Sequence, residues 1–153
     1  MADLNFKNDI KLGEKGEEIV LQDLISMGAE FISDNKDNKY DLKVKFKCKE
    51  IKYEVKTEVT VAPGFDTGNL FIETECRGKK SGVEVTEADW FITYVVYFGE
   101  FWYITTEDLM KLIRDNDFVV GKGGDPGSNS TGYLIPREKF RSSFIVREAP
   151  DSF

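Results

Sequence analysis

Two short stretches, YDLKVKF at 40 to 46 and EIKYEVKT at 50 to 57, alternate apolar and charged residues and are separated only by Lys47, Cys48 and Lys49. A period of two marks strands with one apolar face, and the pair predicts a hairpin around Lys47 and Cys48. Leu42, Val44 and Phe46 face one way in the first strand, as do Ile51, Tyr53 and Val55 in the second. Asp41, Lys43, Lys45, Lys52, Glu54 and Lys56 then share the other face. Burying both apolar sets on one side requires odd-numbered residues to stand opposite even-numbered ones, because a one-residue slip turns every side chain over. The tightest such register sets Asp41 opposite Glu54, with Cβ atoms about 5 Å apart. Like charges so placed destabilise a sheet, whereas a divalent cation between them turns repulsion into binding. Lys56, two residues beyond Glu54 on the same face, suits orienting or deprotonating a water, or offsetting charge on a phosphate.

The surrounding pattern alternates helix and strand. Residues 13 to 28 predict the first helix, with Val20, Leu24 and Met27 at helical spacing, Leu21 and Ile25 widening the stripe, and Gly28 as its stop. A polar loop, SDNKDNK, precedes the hairpin. Residues 58 to 69 predict an exposed loop, and Leu70 to Cys76 a strand. The apolar run Trp90 to Phe98 predicts a central strand buried on both faces, turning at Gly99 into Phe101 to Thr105. A helix from Thr106 to Arg114 follows. GKGGDPGSNSTG, 121 to 132, reads as a flexible connection, and YLIPREKF as a strand and a proline-started helical turn. The 153 residues form one expected domain.

Histidine is absent, which removes the commonest neutral-pH base, Ser-His and Cys-His nucleophiles and most zinc sites. Catalysis by such a chain falls to carboxylates, lysines and a metal. Cys48 and Cys76 are too few and too dispersed for a disulfide framework, no apolar run reaches the length of a membrane span, and the N-terminus lacks the order of a secretory signal. A cytoplasmic protein with no membrane partner is expected. The net charge of -7 is unevenly spread: 36 to 56 holds eight Lys against four acids, and Arg77, Lys79 and Lys80 add a second basic cluster. That cluster suits phosphate contacts or an ordinary surface turn, and Lys43 joins it as a candidate contact to nucleic acid. Glu73 and Glu75 are either further carboxylates for the site or the outward positions of a strand.

Asp41 followed, across a short hairpin, by Glu54-Val55-Lys56 resembles the active-site pattern of the PD-(D/E)XK nuclease superfamily. The stretch Gly13-Glu14-Lys15-Gly16-Glu17 is similar to one in which some bacterial members carry a further acid on the first helix, which points to Glu17, with Glu18 as the alternative. The resemblance covers roughly residues 13 to 96, and Tyr40 stands where the pattern's name has proline. It implies an α/β (α+β) fold with a restriction-endonuclease-like core: an N-terminal helix, then an antiparallel strand meander in a mixed central sheet flanked by helices. It implies Mg²⁺ or Mn²⁺ held by Asp41, Glu54, the Val55 carbonyl and Glu17, and endonuclease action on duplex or branched DNA by a homodimer. The competing expectation is a non-catalytic protein on the same fold, binding nucleic acid or mimicking it through its acidity.

Overall fold

A computed structural model describes residues 2–34, 39–123 and 129–150. It opens on helix α1 (Ala2–Ser26), which begins well before Gly13, where the apolar periodicity placed its start. The far end matches expectation: Gly28 takes a φ of 103°, its N–H bonds to the Ile25 carbonyl and the Ala29 N–H to that of Leu24. This pair of bonds satisfies the last carbonyls of a helix and needs a residue at ease in the left-handed region. Val20, Leu21 and Leu24 are buried as expected, but Met27 lies past the helix end and Ile25 turns outward, so both are exposed.

The chain continues as β1 (Glu30–Asp34), β2 (Leu42–Phe46), β3 (Lys49–Glu58), β4 (Asn69–Cys76), β5 (Lys79–Lys80), β6 (Trp90–Val95), β7 (Glu100–Thr105), α2 (Thr106–Asp115), β8 (Val119–Gly123), β9 (Ser130–Pro136), α3 (Arg137–Phe140) and β10 (Ile145–Glu148). Two sheets result, a six-stranded one in the order β1-β2-β3-β6-β7-β10 and a four-stranded one in the order β5-β4-β9-β8. All pairings are antiparallel except β3 with β6, whose parallel register requires a crossover, supplied by β4 and β5. Among the described residues no helix is long and apolar enough to cross a membrane.

The large sheet is covered on both faces. Val20, Leu24, Leu42, Val44, Tyr53, Ile92, Tyr94 and Phe101 fill the space under α1, and Phe91, Val95, Trp102, Ile104 and Leu109 pack with Leu70, Ile72 and Ile135 of the small sheet on the other side. This double cover is why Trp90 to Val95 reads as an unbroken apolar run. One polar group is buried with the first core: Asp23 accepts from the Tyr103 hydroxyl at 3.0 Å and from two nitrogens of Arg147 at 3.2 Å, tying α1 to β7 and β10.

The glycine-rich stretch from 121 departs from its expected role as a loop. Gly121 and Gly123 belong to β8 and Gly132 to β9; of the stretch, 124 to 128 lie outside the described residues. A Cβ at Gly123 would stand 2.4 Å from the Phe71 ring, and one at Gly132 2.3 Å from the Ile72 carbonyl oxygen. Close approach, rather than a bend, is what excludes side chains there. The expected polar loop also shrinks, since Ser33 and Asp34 end β1, while 35 to 38 lie outside the described residues.

Candidate active site

The hairpin has the expected parity. Leu42 pairs with Tyr53, Lys43 with Lys52, Val44 with Ile51 and Lys45 with Glu50, and the pairing begins at Leu42, which leaves Asp41 just outside the ladder at the mouth of the hairpin. The Asp41 N–H donates at 2.9 Å to the carbonyl of Tyr53, the residue already opposite Leu42, so Asp41 does not take the expected rung opposite Glu54 but sits out of step with the ladder, as at a β-bulge. β2 goes no further back, whereas β3 runs on to Glu58, so the edge of β3 beyond Asp41 lacks a strand partner on that side. Asp41 fills the first gap itself, its Oδ2 accepting from the Val55 N–H at 2.7 Å. The N–H and C=O of one strand residue point to the same edge, so the Val55 carbonyl is turned toward this opening as well.

The face that carries Asp41, Glu54 and Lys56 is less open than the alternation suggests. Glu54 and Lys56 stand beside Phe91 and Thr93 of β6, on the side where the small sheet packs, and all three residues are half-buried. The Lys56 ammonium makes no ion pair or hydrogen bond among the described residues, unlike that of Lys43, whose Nζ lies 3.4 Å from Glu50. Thr86, in the segment before β6, brings its hydroxyl to 3.3 Å from Glu54 Oε2. The pairing of β3 with β6 and bonds to the Lys39 carbonyl from the Thr86 hydroxyl and the Glu87 N–H bring Thr86 here, and nothing in its local sequence signals the contact.

Glu17 reaches the same place from the other side of the sheet. Gly16 is buried against β3 so closely that a Cβ there would stand 1.9 Å from Thr57 Oγ1, an atom that is itself buried without a hydrogen-bond partner. The glycine lets α1 lie on the sheet, and its neighbour Glu17 is half-buried, near enough to Asp41 to feel its charge. Glu18 is exposed and bonds to Gln22 one turn on.

The carboxyls hold their protons far above the ordinary range. Burial, then the neighbouring Asp41, push Glu54 up to about 8, with Glu17 and Glu73 adding to the effect and the Thr86 hydroxyl opposing it. Burial followed by Asp41, Glu14 and Asp34 pushes Glu17 to about 7. Burial takes Asp41 to about 6 against the pull of the Val55 N–H. Glu73 enters this field from the small sheet, its Oε2 held at 2.9 Å by the Ser81 hydroxyl, whereas Glu75 is exposed opposite Lys80. Arg77, Lys79 and Lys80 form the tight β4–β5 turn, exposed, with Arg77 and Gly78 both at positive φ.

Excess negative charge, half-buried and built only of oxygen donors, suits a hard divalent cation such as Mg²⁺ or Mn²⁺ better than a softer metal. Among the described residues no group of three or more His, Cys, Asp or Glu side chains is already drawn together around one point. What is present is Glu54 with Asp41, Glu17 and Glu73 all close enough to perturb it, Asp41 being fixed by the N–H of the adjacent Val55.

No protein-family model and no curated protein sequence matches the chain. Among solved structures it is similar to a bacterial homing endonuclease, I-Ssp6803I, with a TM-score of 0.50 and 16% identity over 85% of this chain and 88% of that one. At such identity the likeness is one of architecture: the chain has a nuclease-like α/β fold, with a six-stranded mixed sheet, a four-stranded sheet and few helices.

Proposed function

We propose that the chain is a divalent-metal-dependent endonuclease of the PD-(D/E)XK type, hydrolysing phosphodiester bonds in DNA. The observation that carries this reading is a pair of neighbouring, half-buried carboxyls, Asp41 bonded to the Val55 N–H beside Glu54 and close enough to raise it, with the Lys56 ammonium unpaired among the described residues two residues beyond. A sheet selected for stability alone has no reason to keep that pairing.

Asp41, Glu54 and the Val55 carbonyl would hold Mg²⁺ or Mn²⁺, with Glu17 joining directly or through a water. Bound there, such an ion would supply positive charge against the scissile phosphate and would make a water easier to deprotonate. The chain's own groups do the rest. The Val55 N–H fixes the Asp41 carboxylate, the Thr86 hydroxyl steadies Glu54, and Lys56 offers its ammonium to a phosphate oxygen or to the attacking water. The likeness to a homing endonuclease supports DNA as the substrate, and two strands to be cut favour a homodimer.

A screen of linear, supercoiled, branched and single-stranded DNA with Mg²⁺ or Mn²⁺ tests this. Cleavage is expected with at least one substrate and is expected to vanish in chelator and in Asp41→Ala, Glu54→Ala and Lys56→Ala. Full activity in all three variants contradicts the assignment. The lack of a gathered carboxylate cluster among the described residues favours the other reading, a non-catalytic nucleic-acid-binding or acid-mimic protein on this fold. That reading predicts no cleavage of any substrate and partner binding that survives chelator.

A further inference from the structure

Close to Asp41 and Glu54 the hairpin carries a like-charge pair of the opposite sign. Lys43 stands directly opposite Lys52, on the same face and about 7 Å along the strands. The following rung, Lys45 opposite Glu50, is of ordinary mixed charge. Two ammoniums directly opposite are as unfavourable as two carboxylates, and what stands nearby compensates them only in part. Glu50, itself more than half exposed, reaches Lys43 alone, at 3.4 Å. The Asp89 carboxylate accepts from the Lys52 backbone N–H at 2.8 Å and makes no ion pair with its ammonium. The Lys52 ammonium instead lies 5.3 Å from the centre of the Tyr40 ring, beside Asp41 in sequence, and has no ion-pair partner among the described residues. In a chain of net charge -7, two neighbouring acids at the mouth of a hairpin with a base–base rung next to them are a local arrangement that asks for a cation and then an anion.

We propose that Lys43 and Lys52 form a phosphate subsite, holding the nucleic-acid backbone one or two nucleotides from the bond positioned at Asp41, Glu54 and Lys56. The assignment rests on the nuclease reading for the identity of its ligand. A strand lying along the β2–β3 face sets one phosphate at Glu54 and a neighbouring one over the lysines, since the roughly 7 Å between Glu54 and Lys52 spans one to two nucleotides along one strand. The contact positions the backbone and reads no base. The Tyr40 ring holds the Lys52 head by cation–π attraction.

Binding of a short labelled duplex, followed by fluorescence anisotropy in chelator over a series of salt concentrations, tests the subsite without any cleavage. Lys43→Gln and Lys52→Gln are each expected to weaken binding several-fold and to reduce the slope of log affinity against log salt by about 0.9, the value of one lost phosphate contact. Lys111→Gln, on exposed α2, is expected to change neither. Thermal unfolding of Lys52→Gln should be unchanged or shifted upward, because a repulsion is relieved, so loss of fold cannot explain weaker binding. Unchanged affinity and slope in both variants, no binding by the wild type, or equally tight binding of polyglutamate lost in the same variants would each overturn the proposal. Intact binding without cleavage in metal would count against the metal site alone, and cleavage with unchanged salt slopes against the subsite alone.

Discussion

Gly16 and Glu17 are neighbours with opposite needs, one for contact with the sheet and one for reach past it. Because a Cβ at Gly16 would overlap Thr57 Oγ1 and lie 2.9 Å from its Cβ and Cγ2, Gly16→Ala must push α1 outward and carry Glu17 with it. Overpacking of this kind costs about 1–3 kcal/mol. Gly16→Ala is therefore expected to lower both the melting temperature and the affinity for Mn²⁺, and Thr57→Gly in the same chain, which removes all three clashing atoms, to restore the affinity. A Gly16→Ala protein that binds Mn²⁺ as the wild type does would show that the contact serves packing alone. The raised carboxyls carry their own expectation. Glu54, Glu17 and Asp41 sit at about 8, 7 and 6 when folded, against 4.5, 4.5 and 3.8 without the fold. Groups that keep their protons longer when folded favour folding at low pH and withdraw that support as pH rises through the folded values. In chelator the wild type should thus lose stability between about pH 5 and pH 8, and Glu54→Gln should lose less over the same window. Parallel curves for the two would contradict the burial of charge at Glu54.

At the scale of elements, the β2–β3 hairpin was readable because each strand has one apolar face, and parity alone then decides which residues stand opposite. That logic reached Asp41, Glu54 and Lys56 and stopped at them. Glu73 was visible as a further carboxylate or an outward strand position without a way to choose, and Thr86 not at all, since both arrive by contacts between elements distant in sequence. β1 and β10 are edge strands of five and four residues without clean alternation, and β8 was hidden by glycines that look like a loop. β10 matters for more than completeness. Its Arg147 supplies two of the three hydrogen bonds to buried Asp23. Arg147→Ala leaves that carboxylate short of partners and is expected to destabilise the fold by on the order of 1–3 kcal/mol. Chemical denaturation measures it, and a loss no greater than that of an exposed arginine variant would mean that the Tyr103 hydroxyl suffices.

For the whole molecule, burial on both faces of the large sheet is what turns a charged strand face into a half-enclosed site. The hairpin alone predicted one charged face of lysines and acids, and the small sheet, whose approach no local pattern encodes, packs on that side of the large sheet and brings Glu73 near Glu54. The fold shared with a homing endonuclease accommodates this plan without specifying its chemistry. Its central claim is that Asp41 and Glu54 share a divalent cation, and thermal unfolding at pH 8 with increasing Mn²⁺ tests it most directly. At a hundred times the dissociation constant a single site contributes about 2.7 kcal/mol, which for a chain of this length raises the melting temperature by roughly 5–10 °C. The wild type should show that rise and Glu54→Gln should not. No rise in the wild type, or an equal rise in the variant, would contradict the account.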